Sequence, residues 1–253
     1  MKVQPQFNIG QGGTGTANIR NDGVVQIQGP DSEVTVGSVH SDVAGTGTLN
    51  VQTGGRVESL RVTIADAPGS SGTVNVSGAN SLLQASGTAD ESSTDFGQGG
   101  IVTVGGNGQG ALNIDNGGSV RISTLEGDFP GLQVGRNDGS DGTLVVSGAG
   151  STLSVDGPGT DPSLNSGFAY VGRNGGSSGS MRVEAGGEVS NQDNGIMVVG
   201  ANAGSTGTVT VADQGSVVDA GSKLLIGITP QSTNPFDPGA LDFSTGGSGT
   251  VTV

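Results

Sequence analysis

Residues 135–157 read GRNDGSDGTLVVSGAGSTLSVDG and follow directly on Leu132-Gln133-Val134. A short apolar strand closes in Gly135, a polar loop follows, and Gly142-Thr143 opens a second strand carrying Leu144 and Val146. Another glycine turn leads into a third strand carrying Leu153 and Val155. Successive strand residues face opposite sides, so each of these pairs shares one face. The same grammar recurs along almost the whole chain, and that recurrence decides the fold.

Internal repeats at a fixed spacing decide the architecture. The residue that closes each apolar-x-apolar strand serves as an anchor. The anchors are Gly10, Gly37, Ala65, Gly105, Gly135, Gly172, Gly200 and Gly227, at separations of 27, 28, 40, 30, 37, 28 and 27 residues. A base period of 27–28 residues emerges. The longer gaps carry inserts at 88–98, at Glu126–Pro130 and at 158–165, and the last coil carries one at 229–246 with Pro230, Pro235 and Pro238. Prolines in such a segment predict a protruding loop. A second mark follows each anchor, a glycine that opens strand two, as in Gly47-Thr48, Gly72-Thr73, Gly142-Thr143 and Gly207-Thr208.

Composition agrees with a thin repetitive core. The 253 residues include 51 Gly, about three times ordinary usage, and only 31% are hydrophobic, with six Phe, one Tyr and no Trp. Without the period, such a chain would read as disordered. The formal charge is −14, from 23 acidic and 9 basic residues, a field that repels nucleic acid and anionic membrane. There is no cysteine, so no disulfide framework or thiolate site exists. No apolar run approaches the roughly 18 residues of a membrane-spanning helix. Met1–Pro5 is followed by no apolar core, so it is not an intact signal peptide.

Each repeat reads as three short strands. Strand one buries Val34/Val36, Val62/Ile64, Leu132/Val134 and Met197/Val199. Strand two buries Leu49/Val51, Val74/Val76, Leu144/Val146 and Val209/Val211, and strand three supplies Val25/Ile27, Val120/Ile122 and Leu153/Val155. No 3.6-residue apolar pattern predicts a helix. Three strands joined by glycine turns bury no face alone, but stacked at about 4.8 Å per turn they do. The predicted fold is all-β: a right-handed parallel β-helix of about eight coils, the hand being the default for parallel crossovers. A β-sandwich is the competitor, and it gives no reason for a 27-residue translation. Stacking also predicts side-chain ladders: Asn107, Asn137, Asn174 and Asn202 at one corner, and Asn18, Asn50, Asn75 and Asn113 on the outer face of strand two. Arg136 and Arg173 stack as well and are expected to be solvated.

The run Val134 to Leu153 resembles the repeat of large bacterial autotransporter-type passengers, which also occurs in surface proteins with a PEP-CTERM sorting tail. Val198 to Val211 follows the same pattern, as does Ile64 to Leu82 with Ala65 at the anchor. The resemblance covers about residues 7 to 229 and then Gly246 to Val253. It implies a secreted or cell-surface β-helix acting as stalk or adhesive body, and it carries no catalytic residues over. No membrane β-barrel, sorting tail or signal peptide accompanies it. Val253 stops inside strand two of the eighth coil, and Met1 to Gln6 is too short and polar to cap a solenoid. The expectation is a piece of a longer chain, with a filament of stacked copies as the alternative.

Enzymes on β-helices need an acid/base pair in a groove, with flanking aromatic and basic residues. The sequence offers one loop histidine, His40, and one tyrosine, Tyr170, on the outer face of strand one, where a single ring makes a poor sugar platform. Carboxylates are the better lead. Asn137-Asp138-Gly139-Ser140-Asp141 has part of a calcium-loop pattern without its terminal Glu, and Asp90, Glu91 and Asp95 concentrate in one insert. Calcium there and a solvated acidic loop are the two readings. The expectation is a non-catalytic extracellular structural or adhesive solenoid with no required cofactor. Its partners would be a second copy or neighbouring repeats, and a host or cell-surface glycan or protein met by the inserts. A fragment of a polysaccharide lyase or hydrolase is the alternative.

Overall fold

A computed structural model of the chain describes residues 5–29, 31–87, 100–124, 130–157, 167–192, 195–230, 241–242 and 246–253. Three parallel sheets run the length of the stack. The first pairs Gln6–Gln11, Glu33–His40, Arg61–Ile64, Ile101–Val104, Gly131–Val134, Phe168–Val171, Ile196–Val199 and Lys223–Ile226 in sequence order. The second pairs Thr14–Ile19, Thr46–Gln52, Ser71–Ser77, Gln109–Asp115, Asp141–Ser147, Ser178–Glu184, Thr206–Val211 and Ser248–Thr252. The third holds seven strands, from Val24–Gln26 through Leu82–Ser86 and Thr152–Asp156 to Val217–Asp219. Strands one coil apart pair parallel whatever the length of chain between them, as in Thr73↔Ala111↔Thr143. The predicted three-strand coil and parallel solenoid are present, and the described residues contain no helix. None is therefore long and apolar enough to cross a membrane.

The interior is one continuous column of Val, Leu, Ile, Ala and Met. Val34, Val62, Val102, Leu132 and Ala169 stack in one row of the first sheet, and each is fully buried. A buried Val or Leu contributes about 1.5–3 kcal/mol relative to leaving it in water, so the column is the main stabilising term. Every inward pair predicted for the interior coils is in place, although Val211 in coil seven is only partly buried. Coverage thins at the end of the first sheet, where inward Leu224 is 44% and Ile226 42% exposed.

The corner between the first and second sheets explains the glycine grammar. All eight anchors, Ala65 included, adopt positive φ, with Gly135 at 69° and Ala65 at 58°. A Cβ on Gly135 would lie 2.1 Å from the Ser178 carbonyl oxygen of the next coil. Gly142, on the other side of the corner, likewise leaves no room for a Cβ, which would meet Gly135 N and the Val104 carbonyl oxygen of the preceding coil. Ala65 is the one anchor whose following coil reaches its second glycine in five positions, Gly105 to Gly110. The six other anchors with a following coil face corners of at least seven. Buried serines close these corners: Ser140, Ser177 and Ser205 each donate Oγ–H to the carbonyl three residues back, at 2.6–2.7 Å.

At the opposite corner, between the second and third sheets, the unit is two coils rather than one. Short turns such as Gln52-Thr53-Gly54-Gly55, Asp115-Asn116-Gly117-Gly118 and Glu184-Ala185-Gly186-Gly187 alternate with longer ones ending in Ser81, Ser151 and Ser216. Each of these serines accepts the N–H of the short turn below, from Gly54, Gly117 and Gly186, at 3.0–3.1 Å.

Two excursions were not fully legible. The gap between Gly37 and Gly47 holds a hairpin in which Val39 pairs Ala44 antiparallel, turning at Ser41 and Asp42, both at positive φ. The 229–246 insert begins and ends as an antiparallel ladder, with Thr229 opposite Asp242 and Pro230 opposite Leu241. The inserts at 88–98 and 158–165 lie outside the described residues.

Candidate functional site

The outward faces of the three sheets differ, and the first is the unusual one. Alternation alone would leave its outer residues in water. Instead Thr35, Thr63, Thr103, Gln133, Tyr170 and Val198, one row from successive coils, are all less than a tenth exposed. Phe168, Tyr170, Ile196, Val198 and Ala201 form a second apolar cluster there. The Phe168 ring lies directly over Gly131, where a Cβ would sit 2.1 Å from it, so the glycine makes room for the aromatic. The outer face of the second sheet, by contrast, keeps Thr14, Thr16, Thr143 and Thr250 exposed.

Polar chemistry gathers at both ends of the buried row. In the early coils Thr63 donates its hydroxyl to Glu33 Oε1 at 2.6 Å. Burial holds the Glu33 carboxyl above its ordinary range and the Asp66 charge adds to that. The Thr63 hydrogen bond and the Arg61 and Arg136 charges pull the other way. Arg61 also approaches Asp31 at 4.0 Å. Further along, Arg173 donates to Gln133 Oε1 at 3.2 Å, and its guanidinium stands 5.2 Å from the Tyr170 ring centroid. Phe168 meets Tyr170 at a 59° tilt with centroids 5.6 Å apart. Burial pushes the Tyr170 phenol up, and the Arg173 charge offsets part of that.

These facts sharpen one expectation and correct another. Tyr170 is on the outer face but is buried under its neighbours, because Phe168 and Arg173 close over it; it is no open sugar platform. Arg136 and Arg173 do stack on successive coils, yet they are not simply solvated. Arg173 is engaged by Gln133 and Tyr170, and Arg136 Nε is buried with no hydrogen-bond partner among the described residues. Four strand spacings, about 19 Å, separate Glu33 from Tyr170. Among the described residues, the two groups with displaced acidities therefore do not flank one bond, and acid–base chemistry on a glycosidic linkage needs carboxyls within roughly 5–9.5 Å of each other.

The other candidates fall as follows. Asp138 folds back over the corner of the next coil, its Oδ1 1.9 Å from where a Cβ on Gly176 would lie. Asp141 starts a second-sheet strand and is exposed. No group of three or more side chains able to hold a metal occurs among the described residues, while Asp90, Glu91 and Asp95 lie outside them. His40 sits on the exposed hairpin, opposite Val43. A shallow polar cleft of about 590 Å³, lined by Asp22, Gln52, Thr53, Ser77 and Asn80, opens at the corner of the second and third sheets.

Both asparagine ladders form. Asn50, Asn75 and Asn113 donate Nδ2–H to Asn18, Asn50 and Asn75 at 2.8, 2.8 and 2.9 Å. Asn137, Asn174 and Asn202 donate to Asn107, Asn137 and Asn174 at 3.0, 3.0 and 3.1 Å. Every amide points its donor toward the preceding coil, so the bonds polarise one another in one direction. The buried outer row escaped sequence reasoning, although Ile101, Phe168, Tyr170, Ile196 and Val198 at outward positions were the visible signal.

No protein-family model matches the chain, and no curated protein matches it. Among solved structures, a TibC-catalysed, hyper-glycosylated fragment of TibA aligns over 100% of this chain and 96% of that one, at 16% identity and a TM-score of 0.15. At those values the likeness carries no inference about this chain.

Proposed function

We propose that the chain is a non-catalytic, extracellular structural solenoid, a stiff spacer or adhesive body of a bacterial surface protein. The observation that carries this reading is the uninterrupted register of the two eight-strand sheets, with core column, amide ladders and corner glycines repeated coil after coil. Side chains that elsewhere serve as acid or base are here spent on one another: Glu33 on Thr63, and Tyr170 against Phe168 and Arg173. Such a column acts through its geometry. It sets a distance and resists bending, and segments that interrupt the period meet the partner, a glycan or protein of a cell surface. Neighbouring repeats or a second copy stack on the terminal coils. Surface display with and without this segment, scored for cell adhesion and for tip-to-surface distance, tests the reading. Unchanged adhesion and unchanged distance would remove it.

The cluster of Glu33, Asp66, Arg61 and Arg136 is the feature that favours the second reading, a piece of a polysaccharide-active enzyme. Release of unsaturated product or reducing ends from acidic polysaccharides, lost in Glu33→Gln, would install that reading in place of the first.

A further inference from the structure

One corner carries chemistry of its own. Asparagine followed by glycine is the pair in which the backbone nitrogen best reaches the side-chain amide, because glycine has no Cβ to hinder the approach. Three such pairs have both residues described: Asn107-Gly108, Asn116-Gly117 and Asn174-Gly175. In two of them the glycine nitrogen is occupied. Gly108 N–H donates to the Ala65 carbonyl at 3.1 Å, and Gly117 N–H donates to Ser151 Oγ at 3.0 Å. Gly175 N–H makes no hydrogen bond among the described residues, although both its neighbours do: Asn174 N–H to Arg136 O at 3.1 Å, and Gly176 N–H to Gly204 O at 3.1 Å.

We propose that Asn174-Gly175 is a self-modification site, where the free Gly175 nitrogen attacks the Asn174 side-chain amide. The Gly175 N–Cγ bond forms as the nitrogen gives its proton to water, water returns a proton to Nδ2, and the Cγ–Nδ2 bond breaks, releasing ammonia. The resulting five-membered imide then adds one water and opens to aspartate or isoaspartate. No oxidant or cofactor takes part.

The asparagine ladder restrains the step. Asn174 Nδ2 is tied to Asn137 Oδ1, and its Oδ1 accepts from Asn202 Nδ2, so Cγ turns toward Gly175 N only when those bonds let go. The product cannot restore them. A carboxylate at 174 has no proton for Asn137 Oδ1. The isoaspartyl form also lengthens the backbone at a residue whose carbonyl accepts both Ser177 N–H at 3.0 Å and Ser177 Oγ–H at 2.6 Å. Conversion therefore loosens the corner joining three successive coils, an irreversible mark of age on the stack.

The test is peptide mapping by mass spectrometry of the whole chain, aged folded and aged in urea. In the folded chain Asn174 should convert severalfold faster than Asn107 and Asn116, with isoaspartate detected at 174, and the preference should disappear in urea. Asn202→Ala, which removes one of the two restraints, should raise the rate at 174 severalfold. Faster conversion at Asn107 or Asn116, no conversion at 174, or the same site order in urea would overturn the assignment. An unchanged rate in Asn202→Ala would overturn the restraint by the ladder.

Discussion

Replacing Gly142 by alanine places one methyl group at a close-packed corner of the coil. Its Cβ would lie 2.2 Å from the Val104 carbonyl oxygen, 2.3 Å from Gly135 N and 3.0 Å from the Val134 carbonyl carbon. All three are backbone atoms, spread over two coils, so no side-chain rotation relieves the contact. The first- and second-sheet strands must part by most of an ångström, straining the parallel pairing on either side. Overpacking a core with a methylene costs about 1–3 kcal/mol when side chains can yield; here only backbone can, and a loss above about 3 kcal/mol follows. Two other glycines calibrate the value. Gly139 has nothing within 4 Å of its missing Cβ but sits at φ 72°, so alanine there bears only the left-handed penalty, about 1–2 kcal/mol. Gly13 is open on both counts, and alanine there is neutral or stabilises by about 0.4–1 kcal/mol. Urea unfolding followed by circular dichroism should rank the variants Gly13→Ala, Gly139→Ala, Gly142→Ala in rising damage. If Gly142→Ala proves as stable as Gly13→Ala, the close-packed corner is wrong.

Three further outcomes follow from named contacts. Asn75→Ala breaks two ladder bonds and Asn18→Ala one, so urea midpoints should show a loss of about 1–3 kcal/mol for the first and about half that for the second. Asn191 occupies an inward position beside Val155 with its Oδ1 buried and unpartnered among the described residues, so Asn191→Leu should raise stability by about 1 kcal/mol in the same assay. Glu33 binds its proton more tightly in the folded chain than its ordinary 4.5. The stability it contributes is full below that value and is lost as pH rises through the folded value. Glu33→Gln keeps an acceptor for Thr63 and does not titrate, so its advantage over the parent should be small in acid and grow toward neutral pH; a constant difference would contradict the shift.

The sequence announces the coil because each coil states the same three things: an alternating pair, a glycine that needs positive φ, and a glycine that needs no Cβ. That redundancy survives the varying separations between anchors, and it located the inward rows and both ladders. The outward burial of the first sheet was not legible in the same way. Thr35, Thr63, Thr103 and Gln133 are ordinary solvent-facing strand residues by type, and only position tells that water does not reach them. The two-coil alternation at the other corner was visible in Gly54-Gly55, Gly117-Gly118 and Gly186-Gly187 set against Ser81, Ser151 and Ser216. A single-coil period averages that alternation away. Tyr170 shows the limit of reading a residue alone: its role came from Phe168, two positions back, and from Arg173, three positions on.

A solenoid requires coils that stack at one fixed rise however much chain lies between them. Cysteine is absent from the sequence, so pairs of spin-labelled cysteines can be introduced cleanly. Thr16, Thr143, Ser180, Thr208 and Thr250 share one outward column of the second sheet, in coils one, five, six, seven and eight. Pulsed electron resonance from position 16 should give backbone separations of about 19, 24, 29 and 34 Å to the other four, rising by about 4.8 Å per coil. Separations that follow residue number, or that fail to lengthen from 143 to 250, would contradict the solenoid.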